Sequence, residues 1–327
     1  MTLEPSVESG GSASVAVALD VGGTSIKCAL VDRFGRVRHT ERHATDRERG
    51  PDRVVETILD AAAGLVATAA EARLEPVAAG IVVPGVVDEM TGIAEWSANL
   101  GFRGLPLRDL VAKRLDLPTA LGHDVRAGAL AEARLGAGRS VRRLVFVAIG
   151  TGIGGGYVVD GRVDPGAHGA SGEIGHVIVR TGPDAPACGC GGRGCVEAFA
   201  SASAIARAYA ARTGSGTRSA SGVDPRSAAA VAAGVASGEV AAVAVWDEAV
   251  AALADGLLTA IALHDPEMIV IGGGLAEAGA LLLDPLREAL AARRTFHRLP
   301  ALVRAELGDK AGCLGAALLA LDHARTP

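Results

Sequence analysis

Residues 173–197 hold the chain's densest group of side chains that could bind a metal. Three cysteines lie within eight residues there, separated by glycines and one arginine, and a histidine lies shortly upstream. Glycine lets the backbone turn tightly enough for the thiolates to converge, and three cysteines with one histidine form a closed tetrahedral set for structural Zn²⁺. The alternative is a glycine-rich loop with incidental thiols or one disulfide. The predicted ligands are His176, Cys188, Cys190 and Cys195. Such a zinc ion would hold Glu173 and Glu197 in fixed positions.

Length, composition and the N-terminal residues limit the class of protein, and together they favour a metal site over a disulfide. The 327 residues predict about two domains, whose core is aliphatic because 49% of residues are hydrophobic but only 3% aromatic. A net charge of −5 and the absence of a basic run argue against nucleic-acid binding. No apolar run reaches the ~18 residues of a membrane span, and no export signal precedes the first strand, so we expect a cytoplasmic protein with reduced thiols. Cys28 and Cys313 are expected to be ordinary core thiols.

A strand, a glycine turn and a second strand follow one another twice, once in each half of the chain. The first turn contains Gly22, Gly23 and Thr24, and the second contains Gly150, Thr151 and Gly152. The flanking strands are predicted over 15–20, 26–31, 144–149 and 157–159. The pattern indicates an internal duplication of architecture.

The remaining pattern is typical of an α/β chain. Helices are predicted over 52–73, 105–115, 124–135, 202–210, 240–264, 281–293 and 312–323. Further strands are predicted over 37–39, 77–83 and 268–271. Residues 1–14 are expected to form a disordered tail, 95–102 a loop, and 211–238 a mobile connection with one short helix.

The glycine turns suit a polyphosphate, because turn N–H groups that no side chain shields form anion-binding nests. Asp20 ends the first strand, where a carboxylate would repel phosphates unless Mg²⁺ intervened. A third cluster, Gly272, Gly273 and Gly274, follows a strand in the second half. The spacing of a Walker A loop is absent. Ordinary hairpin turns are the alternative, but the repetition favours nucleotide binding.

Four motifs together resemble the ROK family of repressors, open reading frames and sugar kinases, and within it the bacterial glucokinases. They are Asp20-Val-Gly-Gly-Thr24, the run from Ile149 to Gly156, Glu173-Ile-Gly-His176 and the Cys-x-Cys-x₄-Cys-x-Glu run. The resemblance implies a two-domain α/β fold of the actin-like, ribonuclease-H-like ATPase type with an interdomain cleft. It implies an N-terminal domain over 15–123 joined by the C-terminal helix 311–327, a C-terminal domain over 124–310, and a homodimer or homotetramer.

The resemblance also implies ATP-dependent phosphorylation of the C6 hydroxyl of a hexose, most simply glucose, with Asp124 as the general base. Asp124 is also well placed as a helix N-cap. The implied substrate-binding residues are Asn99, His123, Asp124, Glu173, His176 and Glu197. The implied ATP and Mg²⁺ residues are Asp20, Gly22, Gly23, Thr24, Lys27, Gly150, Thr151, Gly152, Gly272, Gly273 and Gly274.

Two residues depart from the family's Asn-Asp-x-Asn motif: His123 and Arg126 replace its asparagines. We expect His123 to contact hydroxyls near the phosphorylated carbon, and Arg126 to form a salt bridge with an acid such as Glu132 or Asp109. Another ring polyol (mannose, an N-acylated aminosugar or a cyclitol) is therefore the alternative substrate, and polyphosphate the alternative donor. A non-catalytic sugar sensor is a further alternative. A repressor is disfavoured, because only about fourteen polar residues precede the first strand.

Overall fold

The computed structural model describes residues 13–214 and 227–325. Most of the predicted tail and the middle of the predicted connection, 215–226, therefore lie outside the described residues. By its contacts the chain divides into two compact units, the first containing residues up to Ala127 and again from Gly312, and the second Gly128 to Ala311. The division predicted from the sequence lies at 123/124 and 310/311.

The elements up to α3, the helix that crosses from the first unit into the second, are as follows. The strands are β1 (Ala13–Val21), β2 (Ser25–Asp32), β3 (Val37–Ala44), β4 (Leu74–Val83), β5 (Val86–Asp88), β6 (Ile93–Ser97), β7 (Phe102–Leu105) and β8 (Thr119–His123). The helices are α1 (Pro51–Glu71), α2 (Leu107–Leu115) and α3 (Asp124–Leu135).

The later elements complete the chain. The strands are β9 (Arg143–Ile149), β10 (Ile153–Val159), β11 (Arg162–Val163), β12 (Met268–Gly272) and β13 (Ala301–Arg304). The helices are α4 (Val196–Ala200), α5 (Ala202–Thr213), α6 (Ala228–Ala236), α7 (Val240–His264), α8 (Ala280–Arg293) and α9 (Ala311–His323).

The two main sheets share one topology, which confirms the predicted duplication. The first has the order β3-β2-β1-β4-β8 and the second β11-β10-β9-β12-β13. In each, three antiparallel strands in sequence are followed by two strands parallel to the first. The carboxyl ends of the parallel strands lie at one edge of each sheet, and the glycine turns follow β1 and β9 at that edge.

Short strands account for most of the differences from prediction. The predicted loop 95–102 instead contributes to β6 and β7, which form a small three-stranded antiparallel sheet with β5. β13 was missed because only its Leu302 is buried in a four-residue strand. β3 is longer than predicted. The prediction was too short because the side chains of this strand alternate between half-buried and exposed and form no apolar run.

Each unit has its own core. In the second unit α7 is central, and Trp246 is buried there with its indole N–H donating to the Leu281 carbonyl at 3.1 Å. Among the described helices none alone has both the length and the apolar character to cross a membrane. The pair α6 and α7 passes that test jointly, but the two helices meet at a 113° bend.

Candidate active site and metal centre

Asp124 is the first residue of α3 and directly follows the carboxyl end of β8. Its carboxylate oxygen Oδ1 accepts the backbone N–H of Val125 at 2.7 Å, and its side chain is 29% exposed. An N-cap would accept an N–H two or three residues further on. The Asp124 carboxylate is therefore held at the helix start without forming the predicted cap bond in this structure.

Desolvation dominates the electrostatics of Asp124 and raises the pKa of its carboxyl group. The Val125 N–H, the Arg126 guanidinium and the Lys27 ammonium oppose this effect without cancelling it. A carboxylate whose pKa is shifted toward neutrality is a better proton acceptor, because acid–base catalysis works best near the operating pH.

His123, the residue before Asp124, supplies the missing helix cap. Its Nδ1 accepts the backbone N–H of Arg126 at 3.4 Å, and its Nε2 lies 3.4 Å from Asp124 Oδ1. A ring whose Nδ1 accepts carries its hydrogen on Nε2 when neutral, so that hydrogen faces the Asp124 carboxylate. The imidazole is buried, and both of its nitrogens have protein groups within reach.

Arg126 pairs with neither acid predicted for it. Its Nε and Nη2 donate to Glu89 Oε1 at 3.1 and 2.9 Å, and only 2% of its side chain is exposed. Glu132 is fully buried and accepts the backbone N–H groups of Ala137 and Leu307 instead, while Asp109 pairs with its neighbour Arg108. Glu89 was missed because it follows β5, thirty-seven residues earlier in the chain.

The first glycine turn brings several predicted residues together. The Gly22 N–H donates to the Ser25 carbonyl at 3.0 Å and closes the turn between β1 and β2. A Cβ added to Gly23 would lie 3.6 Å from the Cβ of Asn99, so the predicted sugar-binding asparagine adjoins the predicted phosphate-binding turn. Beside them, Lys27 Nζ lies 3.3 Å from Asp20 Oδ2, and both side chains are half-buried.

The two glycine clusters of the second unit are neighbours. Gly272 ends β12, which pairs with β9 directly before the turn 150–152. Gly273 has a φ of +78°, and a Cβ there would overlap the backbone of Ile149, so only glycine fits this approach. The structure thus places the predicted nucleotide residues of this unit at one edge of its sheet.

The predicted metal ligands converge in the described structure. One ligand atom from each of His176, Cys188, Cys190 and Cys195 lies within 4.8 Å of the others. His176 Nδ1 is 3.7 Å from Cys188 Sγ, and the Sγ atoms of Cys190 and Cys195 are 3.8 Å apart. Gly194, between the last two cysteines, has a φ of +73°. Three sulfurs and one imidazole nitrogen at these separations fit a closed zinc set.

The thiols differ in their electrostatics. Burial raises the pKa of Cys195 to about 12. The Gly192 backbone N–H lowers the pKa of the exposed Cys190. The loop therefore combines two buried sulfurs with one that solvent can reach, and the N–H of Gly192 stabilises the thiolate of that exposed Cys190.

Both predicted glutamates lie against this centre. His176 directs its other ring nitrogen, Nε2, toward Glu173, whose Oε2 lies 3.8 Å away and whose side chain is 46% exposed. Glu197 Oε1 lies 3.9 Å from Cys188 Sγ, while its Oε2 accepts the Ile153 N–H at 2.8 Å. Glu197 therefore links the metal-ligand loop to the glycine turn that precedes β10.

Comparison with known proteins identifies the family. Residues 16–323 match the ROK family. The chain belongs to the ROK family. A glucokinase of Thermotoga maritima is 35% identical over 313 residues, covering 92% of this chain and 95% of that protein. An N-acetylmannosamine kinase of Citrobacter koseri is 36% identical over 307 residues, covering 93% and 98%.

A solved ROK family glucokinase from Streptomyces griseus, in complex with glucose and AMPPNP, is 32% identical. It superposes with a TM-score of 0.78 over 94% of this chain and 99% of that one. The predicted mixed α/β fold of the actin-like, ribonuclease-H-like type is confirmed, and so is the assignment as a sugar kinase.

Proposed function

We propose that this ROK protein transfers the γ-phosphoryl group of ATP to the primary C6 hydroxyl of a hexose, with glucose the first candidate. The observation that carries the proposal is the desolvated Asp124 carboxylate at the junction of β8 and α3, with a raised pKa and His123 beside it. These features suit a general base. The glucokinases among its relatives support the choice of sugar.

In the proposed reaction the sugar hydroxyl oxygen attacks the γ-phosphorus while the bond from that phosphorus to the β-γ bridging oxygen breaks. ADP leaves, and Asp124 accepts the hydroxyl proton. Catalysis of this kind depends mainly on placement and charge. His123 acts as a positioning residue, because its Nε2 hydrogen faces the carboxylate and its Nδ1 ties it to α3. Its predicted contact with a sugar hydroxyl stays a prediction.

The remaining roles follow the geometry within each unit. Asn99, Glu173, His176 and Glu197 are proposed to bind sugar hydroxyls, and the turns at 22–24, 150–152 and 272–274 to bind the nucleotide phosphates. Mg²⁺ supplies charge neutralisation for those phosphates when bound. Asp20 is proposed to hold Mg²⁺, and its partner Lys27 to hold the phosphates. We further propose that one structural Zn²⁺ binds the four ligands of the 173–197 loop. In this arrangement His176 serves the metal through Nδ1 and the sugar through Nε2.

A coupled assay of ADP release over a panel of hexoses and cyclitols tests the activity. The panel contains glucose, mannose, N-acetylmannosamine and a cyclitol, each with ATP. With polyphosphate as the donor no ADP forms, so formation of the sugar phosphate is measured instead. We expect the largest kcat/KM for glucose with ATP. Release of ADP that no sugar stimulates would contradict the kinase assignment and favour the sensor.

An N-acylated aminosugar is the second candidate substrate. The 36% identical N-acetylmannosamine kinase favours it, and the replacement of both motif asparagines by His123 and Arg126 favours a substrate other than glucose. A site built around one hydroxyl can discriminate by up to ~10⁴. The ratio of kcat/KM for N-acetylmannosamine to that for glucose therefore decides between the two sugars.

A further inference from the structure

A second group of metal-binding side chains lies far along the chain from the 173–197 loop, on the edge strand of the first sheet. Among the described strands, β3 has only β2 as a neighbour. His39, Glu41 and His43 alternate along it, so all three project from the same face of the sheet. Cys28 of β2 pairs in register with Glu41, which places its thiol on that face too.

The contacts bring these groups within metal-binding range. One ligand atom each from Cys28, Glu41 and His43 lies within 4.8 Å of the others. The two carboxylate oxygens of Glu41 are engaged separately: His43 Nε2 lies 2.9 Å from Oε1, and His39 Nε2 lies 3.4 Å from Oε2. Glu41 is therefore oriented from both sides, with Oε1 toward His43 and Oε2 toward His39.

Cys28, Glu41 and His43 differ in their exposure to solvent. Cys28 is 1% exposed, whereas the side chains of Glu41 and His43 are 27% and 40% exposed. An ion could reach the carboxylate and imidazole directly and then meet the thiol beneath them.

We propose that Cys28, Glu41 and His43 form a second metal site, which binds Zn²⁺ or a chemically similar divalent ion such as Co²⁺. A sulfur, a nitrogen and an oxygen ligand suit these borderline ions, whereas Mg²⁺ and Ca²⁺ require oxygen ligands. Three protein ligands leave a fourth position for water. His39 is a positioning residue, since it fixes the second oxygen of the Glu41 ligand.

The site would stabilise the sheet at one of its two edge strands. An edge strand offers unpaired backbone groups on one side and is prone to slip or to pair with other chains. A metal ion bound by Glu41 and His43 of β3 and by Cys28 of β2 would fix the register between these two strands through their side chains. The inference is independent of the proposed catalytic function.

Cobalt binding to the full chain tests the proposal. The 173–197 loop is first filled with one equivalent of Zn²⁺, and Co²⁺ is then titrated. Binding is measured by absorption in the thiolate-to-cobalt charge-transfer region and by metal analysis after gel filtration. We expect one equivalent of Co²⁺ to bind with a charge-transfer band while the zinc is retained. No second equivalent, or a band that appears only as zinc is lost, would overturn the proposal.

Variants locate the second ion. Cys28→Ser should abolish the charge-transfer band. The side chains of His43 and Glu41 are half-buried on an edge strand, so His43→Gln and Glu41→Gln should still fold. Each should weaken cobalt binding by at least about tenfold, the lower limit for disturbing even a residue that orients a ligand. His39→Gln should weaken it by about 10- to 100-fold while leaving the band in place.

Cys313→Ser is the matched control. Cys313 is also a buried thiol of the first unit, but its Sγ contacts the Lys27 carbonyl at 3.3 Å and lies outside the proposed set. It should keep both the affinity and the band. Equal cobalt binding by wild type and His43→Gln would refute the site, as would loss of the band in Cys313→Ser but not in Cys28→Ser.

Discussion

Replacing Asp124 by asparagine separates its proposed chemical role from its structural role. Asparagine retains an Oδ1 that can accept the Val125 N–H and occupies nearly the same volume, but it cannot take a proton from a hydroxyl. We therefore expect the fold and the sugar affinity to survive while turnover falls. General acid–base catalysis contributes ~10²–10⁴-fold, so the loss in kcat should be at least about a hundredfold, or about 2.7 kcal/mol of transition-state stabilisation.

The same substitution should stabilise the protein at neutral pH. Because the pKa of Asp124 is raised in the folded state, its ionised form costs folding free energy at pH values above that raised pKa. Asparagine removes this cost. As the pH falls through the raised pKa, the native carboxylate is protonated and the advantage of the variant shrinks. It should vanish below the unfolded-state value of about 3.9.

Coupled ADP release measures kcat, isothermal titration measures sugar affinity, and urea unfolding at pH 7 and at pH 3.5 measures stability. Asp109→Asn is the matched control, because it makes the same chemical change on an exposed carboxylate of the first unit paired only with Arg108 in the described contacts. It should leave kcat unchanged. Near-normal turnover in Asp124→Asn would refute the assignment of the base, and lower stability at pH 7 would refute the argument from desolvation.

Three further predictions follow from the site. In a pH–rate profile, the acid limb of kcat/KM should lie above the ordinary aspartate pKa of about 3.9, because burial raises the pKa of Asp124; a limb at or below that value would contradict this. Glu89→Gln should destabilise the fold in urea unfolding by about 1.5 kcal/mol, the lower end for a hydrogen bond to a charged group, because it neutralises the oxygen that accepts two N–H groups of the buried Arg126; Glu95→Gln serves as the control. Cys190→Ser should reduce the amount of zinc that the 173–197 loop retains after chelation, and it should weaken sugar binding. Excess zinc should restore sugar binding in the chelated wild type. If the wild type and Cys190→Ser both keep their sugar affinity after chelation, the proposed role of the loop is contradicted.

Local patterns predicted the placement of most candidate residues, because each depends on a few neighbouring side chains. The glycines after β1 and β9, the helix that begins at Asp124 and the clustered cysteines are all encoded in short stretches. The partner of Arg126 could not be predicted in this way, because Glu89 reaches it across thirty-seven residues of chain. The sequence indicated that His123 was unusual but not that its ring caps α3, because Asp124 offered a more usual capping side chain at the same helix start.

The polar row on β3 escaped the sequence analysis for a related reason. Alternation of histidine and glutamate along an edge strand resembles a solvated surface, and Cys28 alone resembles a core thiol. Only the pairing of β2 with β3 brings the thiol opposite Glu41. Strand register is set by the whole sheet, so no window of the sequence contains it.

The membership of α9 in the first unit has a consequence for synthesis on the ribosome. The second unit is continuous in sequence, so all of its strands can emerge and pair before the first unit is complete. The first unit must wait for residues from Gly312 onward, whose helix packs so closely that a Cβ on Gly80 would overlap the Ala316 backbone. Until then the nascent first sheet exposes an apolar face to the cell. A premature stop before Gly312 would thus damage the half made first, leaving the half made last intact.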